Sequence, residues 1–257
     1  MMLKRYTKEL RVSDAINRTG EQMSICGDES RILMEALGLK YEPVAISLIK
    51  KGGALPEGYS RPEKPLRHCQ AIMRARKGES LVVKADRQAC PVGASSLGLT
   101  PVPEKVASGE FHYNMGMYGE QDAARATMEK RPTLEAGSVE ATAVAPLSKA
   151  KLKPDVVVVT GTPEQMFWLI PAASTFSIGG RVTVDMAAVQ ASCADSTVLP
   201  YLTGNVNISL GCFGCRKTTD IAPEEMLVGI PGSKMKEIVA AVAKMKEGPI
   251  PKSREKA

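Results

Sequence analysis

The chain has 257 residues, with 34 basic and 28 acidic side chains and a net charge of +6. That length suits one large domain or two small ones and leaves ample material for a core. No basic run is interleaved with aromatics, which argues against nucleic-acid binding. No apolar run approaches a membrane span, the longest pure run being Val156–Val159, and Met1–Tyr6 lacks the apolar stretch of a secretory signal. A cytoplasmic protein is therefore expected. In that compartment six cysteines read as reduced thiols and not as a disulfide framework.

Residues 1–28 are polar and weakly periodic and read as an N-terminal extension. Asp28 or Ser30 can cap a helix through Ile32, Leu33, Ala36 and Leu37, which Gly38 ends. Pro43–Ile49 is β-branched and strand-like. A proline-rich loop leads to a helix over Arg67–Arg76, stopped by Gly78, and then to a strand over Ser80–Lys84. Residues 91–119 look loop-rich, with Met115–Gly119 a candidate segment near a pocket. Glu120–Lys130 is helical and ends before Pro132.

Asp155–Thr160 reads as a buried strand. Thr162 caps a helix with Pro163 at its first position, which yields to Pro171. A strand over Arg181–Val184 and a helix over Asp185–Ala191 lead to Cys193. Strands over Val206–Leu210 and Met226–Ile230 follow, then a helix carrying Met235, Ile238, Val239 and Val242 on one face. Residues 249–257 read as a disordered basic tail. The expected fold is α/β, mixed α+β, with residues 29–248 forming one domain of two βαβ-like halves and a C-terminal strand and helix.

The halves share an order of events. Strand Val44–Ile49, the helix of Cys69-Gln70, Gly78, strand Leu81–Lys84 and Cys90 are matched by strand Val156–Thr160, the helix of Glu164-Gln165, Gly180, strand Val182–Val184 and Cys193. This order fits an internal duplication and equally fits two independent βαβ units. It would place Cys90 and Cys193 at equivalent strand exits, where α/β sheets favour ligands.

The cysteines are the candidate site. Cys69 lies in a first helical turn after Arg67 and His68, a setting that lowers a thiol pKa. Cys90 precedes proline, as cysteines beside iron–sulfur ligands often do. Cys212-Phe-Gly-Cys215 is a C-x-x-C in a glycine-containing turn, suited to metal chelation. His68 and His112 are the only histidines, which excludes a His-rich metal site. Cys69, Cys90, Cys193 and one or both of Cys212 and Cys215 could supply four thiolates to an iron–sulfur cluster or a zinc ion. The bland alternative is that they are buried small hydrophobes. Arg216, beside the C-x-x-C, could hold an anion or pair with Asp220 on the surface. There is no G-x-G-x-x-G after a strand and no Walker loop.

Tyr41–Ile46, Cys69-Gln70, Pro146-Leu147, Pro154–Val157, Gly161–Gln165, Ser192–Ala194 and Gly211–Arg216 occur in this order. With them, roughly residues 29–245 resemble the uncharacterised domain family numbered 169, common in archaea and anaerobic bacteria. The resemblance implies cysteines at Cys69, Cys90, Cys193 and Cys212. It leaves Cys215, a position often Ser in the family, as a spare, and Cys26 outside the shared region. It supplies no activity, and its anaerobic setting suits an oxygen-sensitive cluster.

Three expectations follow. The first is a [4Fe–4S] protein of anaerobic redox metabolism, transferring electrons or serving a redox partner, in a homo-oligomer or as a complex subunit. The second is a zinc or metal-free module binding a small anion or cofactor near Gln70, Gln165 and Arg216. The third is a thiol enzyme using Cys69 as nucleophile.

Overall fold

Short, mostly apolar segments become the strands of a single six-stranded sheet in the computed structural model, which describes residues 26–187, 189 and 191–255. The strands are β1 (Val44–Lys50), β2 (Leu81–Lys84), β3 (Val139–Pro146), β4 (Val156–Gly161), β5 (Asn207–Ser209) and β6 (Met226–Pro231). Their order is β2-β3-β1-β4-β6-β5, and every neighbouring pair is antiparallel. The fold is mixed α+β.

Each half contributes a split β-α-β unit. β1 and β2 run in the same direction with β3 inserted between them; β4 and β5 do likewise around β6. The halves meet where β1 pairs with β4 (Val44 opposite Val158, Ile46 opposite Val156).

Alternation along the strands sorts side chains to two faces. Ala45, Val157, Val159, Val228 and Ile230 pack under α1 (Gly27–Leu37), α7 (Pro163–Ser174) and α10 (Met235–Lys246). Val44, Ile46, Val156, Val158 and Leu227 pack under α2 (His68–Ala75). Leu48 on that second face packs with Cys193 and Val198 of a π-helix, Ala191–Val198. Each large apolar side chain so buried contributes about 1.5–3 kcal/mol. Because both faces are covered, slipping a strand by one residue would misplace its whole apolar set. The close seat of the π-helix requires Gly229 on β6, since a Cβ there would stand 2.1 Å from the Ser196 carbonyl oxygen.

Several expectations are corrected. β3 was not anticipated; it is alanine-rich, so its sequence reads as weakly β-forming, yet small side chains fit a strand buried on both faces. The stretch 91–119 is not mainly loop but carries α3 (Pro91–Ser96), α4 (Glu104–Ala107) and α5 (Glu110–Asn114), followed by α6 (Gln121–Glu129). α7 continues through Pro171 to Ser174. Residues 181–187 form no strand, and the helical segment near Cys193 begins at Ala191 and runs into α8 (Leu199–Thr203). The C-x-x-C opens a short helix, α9 (Phe213–Thr218). The expected disordered tail forms α11 (Pro249–Arg254), fixed by Ile250 at 1% exposure and by the Arg254 guanidinium donating to the Leu37 carbonyl at 3.0 Å. The expected N-terminal extension lies outside the described residues up to residue 25.

The topology also revises the pairing of the halves. α7 covers the face opposite α2, whereas the π-helix and α8 lie on the α2 face and lead into β5. The crossover helices are therefore α2 in the first half and the π-helix with α8 in the second. Cys69 and Cys193 stand near the starts of these two helices. Cys90 and Cys212 each cap a short helix after an edge strand, α3 after β2 and α9 after β5. Cys90 thus corresponds to Cys212, and not to Cys193.

Candidate functional site

The equivalent cysteines share one more detail. The Cys90 sulfur accepts from the Gly93 N–H at 3.4 Å, and the Cys212 sulfur accepts from the Cys215 N–H at 3.3 Å. A cysteine here takes the place of the usual Ser or Asp at a helix N-cap, so the orphan N–H groups of the first turn point at sulfur. In this correspondence Gly93, three residues after its capping cysteine, occupies the place of Cys215. Four cysteines form two matched pairs, and Cys215 is the one without a counterpart.

All five face a single cavity of about 260 Å³. A Cβ placed on Gly93 would lie 3.8 Å from the sulfurs of both Cys90 and Cys193, so glycine keeps the space between them open. Phe111, Met115 and Phe213 supply apolar wall and are exposed at its mouth. Arg67 and Lys217 also line it, and among the described residues no carboxylate does. Cys26 lies elsewhere, in the core on the other face of the sheet.

The sulfurs perturb one another. Burial, then the neighbouring Cys90 and Cys212 sulfurs, push the Cys193 thiol well up. Burial likewise raises Cys212, against the opposing pull of the Cys215 N–H. Cys69 hydrogen-bonds to Cys215, which holds the Cys69 proton in place and raises it, while the same bond lowers Cys215. Of this pair Cys215 is therefore the sulfur that ionises more readily. The expectation that the start of α2 and nearby cations would lower Cys69 is overridden by burial and by this partner.

His68 braces the two crossover helices. Its Nε2 lies 3.0 Å from Thr197 Oγ1, whose hydroxyl donates to the Ser192 carbonyl at 2.9 Å. The hydroxyl proton being used, Oγ1 accepts from an Nε2–H, and Nδ1 is the bare acceptor. Burial pulls the His68 pKa down to about 4, so the ring is neutral. Among the described residues Nδ1 has no hydrogen-bond partner.

The three residues expected to bind a cofactor have their polar atoms engaged within the fold. Gln70 Oε1 accepts from the Arg67 N–H at 2.9 Å and its Nε2 donates to the Thr218 carbonyl at 3.2 Å. Gln165 Oε1 accepts from the Thr162 N–H at 2.9 Å and its Nε2 donates to the Gly38 carbonyl at 2.6 Å. Their matching sequence positions thus reflect one local device, a glutamine closing the first turn of a helix. Arg216 donates to the carbonyls of Leu210, Ala222 and Glu225 at 2.7, 2.7 and 2.6 Å, and Asp220 pairs with Arg76 and Lys77 instead. None of the three lines the cysteine cavity.

Sequence reasoning missed Arg131. This side chain is 7% exposed and forms no ion pair with any carboxylate among the described residues. Nε donates to Thr133 Oγ1 at 3.1 Å, Nη2 to Ser95 Oγ at 3.3 Å, and Nη1 lies 3.9 Å from Met128 Sδ. Burial pulls its pKa down, while Cys193 and Cys90 pull the other way.

Among the described residues no three His, Cys, Asp or Glu side chains are arranged to hold a single metal ion. An iron–sulfur cluster places each thiolate on a different iron, so its ligands need not converge on one point. Thiolates are the ligands such clusters take, and a cavity with apolar walls and cations but no carboxylate suits a negatively charged guest.

Residues 32–241 match the model of the domain-of-unknown-function family 169, described as "Uncharacterised ArCR". An uncharacterised protein of Methanocaldococcus jannaschii is 34% identical over 217 residues, covering 84% of this chain and 92% of that relative. No solved structure matches.

Proposed function

The chain belongs to the domain-of-unknown-function family 169, which brings no activity with it, and we propose from the site itself that it is a cytoplasmic [4Fe–4S] protein of anaerobic redox metabolism. Cys69, Cys90, Cys193 and Cys212 would hold the cluster. The observation that carries this reading is the placement of these four cysteines at two pairs of equivalent positions around one cavity that no carboxylate lines among the described residues. When bound, such a cluster supplies one-electron transfer, and the chain would exchange those electrons with a redox partner protein. The helix N-terminal N–H groups of Gly93 and Cys215 stabilise anionic sulfur at Cys90 and Cys212. The apolar wall of Phe111, Met115 and Phe213 limits water at the sulfurs, and solvent exposure is one of the levers on cluster potential.

Anaerobic purification or reconstitution followed by iron, sulfide and zinc analysis tests this. Brown protein with about four irons per chain, retained in Cys215→Ser and lost in Cys69→Ser, Cys90→Ser, Cys193→Ser and Cys212→Ser, is the expected result. Colourless protein without iron removes the proposal.

The hydrogen bond between Cys69 and Cys215 supports a second reading, a thiol enzyme, with Cys215 as the nucleophile. Iron-free protein whose Cys215 alone reacts rapidly with iodoacetamide at neutral pH would favour it.

A further inference from the structure

We propose that a second cavity, lined from α6 and the π-helix, binds a small zwitterion of the α-amino-acid type, with Arg131 taking its carboxylate and Asp195 its ammonium group. The inference goes beyond the iron–sulfur reading and is independent of it, because neither the cysteines nor a metal takes part.

The cavity measures about 570 Å³, within the span of small-molecule sites. Thr127, Lys130 and Arg131 line it from α6 and the residues that follow, and Asp185, Met186 and Asp195 from the segment before the π-helix and from the π-helix itself. Asn207 on β5 fastens that second group: its Nδ2 donates to the carbonyls of Asp185 and Asp195 at 2.7 and 2.9 Å, and its Oδ1 accepts from the Asp185 N–H at 2.9 Å.

Two of the lining side chains are buried ionisable groups, Arg131 at 7% exposure and Asp195 at 2%. Among the described residues neither has a charged partner, and they form no ion pair with each other. A buried charged group without a counter-charge is costly. Opposite groups that share one cavity without touching are the complement of a guest that carries both signs. On Arg131 the contacts with Thr133, Met128 and Ser95 use one hydrogen on each of its three nitrogens. One N–H remains on each terminal nitrogen, two donors for the two oxygens of a carboxylate. On Asp195, Oδ2 accepts from the Ala187 N–H at 3.1 Å, and Oδ1 has no hydrogen bond among the described residues, which leaves oxygen for an N–H donor.

Charge balance selects the class of guest. The exposed Lys130 and Asp185 also line the cavity, so its wall carries two basic and two acidic side chains, unlike the cysteine cavity. A simple anion meets the carboxylates and a simple cation meets the basic groups; a molecule with one charge of each sign meets a partner for both. Met117, Tyr118 and Met186 add apolar wall, which favours an amino acid with an apolar side chain.

The full chain is screened against the standard L-amino acids by thermal shift, and those that bind are measured by isothermal titration calorimetry. At least one with an apolar side chain should raise the Tm of the wild type. Ala126→Trp, at an exposed position of α6 that lines the cavity, should abolish binding by filling the space. Arg131→Met should weaken it about tenfold or more, the loss of a charge-assisted pair. The matched deaminated acid and decarboxylated amine should each bind the wild type about tenfold or more weakly than the amino acid itself. If no amino acid binds, if Ala126→Trp or Arg131→Met binds as tightly as wild type, or if either analogue binds as tightly as the amino acid, the proposal is overturned. Where Arg131→Met does not fold, Ala126→Trp and the two analogues decide.

Discussion

Arg76 and Arg131 are both buried arginines, yet the protein surrounds them differently. The Arg76 side chain is 0% exposed and pairs with Glu225 at 3.0 Å and Asp220 at 3.3 Å. It also donates to Thr160 Oγ1 at 3.2 Å and stacks its guanidinium 4.1 Å from the Tyr41 ring centroid. Arg131 has hydroxyls and a thioether in place of carboxylates. A charge whose partners are all built into the chain is a structural element, linking α2 to the segments around β4 and β6. Arg131 is held only by neutral partners among the described residues. The difference teaches that burial alone does not say how an arginine is held; its partners do.

The largest effect should come from Arg76→Met. It leaves Glu225, whose side chain is 9% exposed, without its cation, and breaking a buried pair from one side costs about 3–5 kcal/mol. The midpoint of urea denaturation reads this directly. Arg131→Met in the metal-free chain should cost far less, within about 1 kcal/mol of wild type, because the lost hydrogen bonds are offset by removing an uncompensated buried charge. Equal losses from the two substitutions would break the comparison and make Arg131 another structural strut.

Glu225→Gln sharpens the same contrast at intermediate size. It keeps a polar group near Arg76 and near the Ala222 N–H, which the Glu225 carboxylate accepts at 2.9 Å, and Asp220 remains as a partner. A loss of about 1.5–3 kcal/mol in the same denaturation experiment is expected, from a charge-assisted bond reduced to a neutral one. A loss as large as that of Arg76→Met would mean that Asp220, 41% exposed, contributes nothing to holding Arg76.

How far each of these regions could be read beforehand differs for physical reasons. The cysteines announce themselves by residue type, and valine-rich strands such as Val156–Val159 announce themselves by burial pattern, so the thiol site and much of the sheet are legible locally. So are the turns closed by Gln70 and Gln165, though their matching positions in the two halves read as a ligand site and the structure shows first-turn closure. β3 is illegible because alanine carries little strand signal and its position between β1 and β2 is a long-range fact. The correspondence of Cys90 with Cys212 is hidden for the same reason: it depends on which face of the sheet each crossover takes, and α7, the better sequence match to α2, lies on the wrong one. Arg131 is an arginine before Pro132 with nothing local to mark it; only the fold buries it and ties it to Ser95 on α3.

The finest test of the contrast is Ser95→Ala. The Ser95 hydroxyl accepts from Arg131 Nη2 and donates to the Val92 carbonyl at 3.1 Å, within the turn that Cys90 caps. Removing it should cost about 0.5–1.5 kcal/mol of stability, the range for one hydrogen bond. Thr133 still accepts from the guanidinium, so iron retention by anaerobically reconstituted Ser95→Ala should match wild type; loss of iron there would make the Ser95 contact part of what shapes the cysteine site. The equivalent deletion at the other site, Thr160→Ala, removes one neutral partner from an arginine already paired with two carboxylates, so it should register in stability alone and leave the cysteine readouts unchanged.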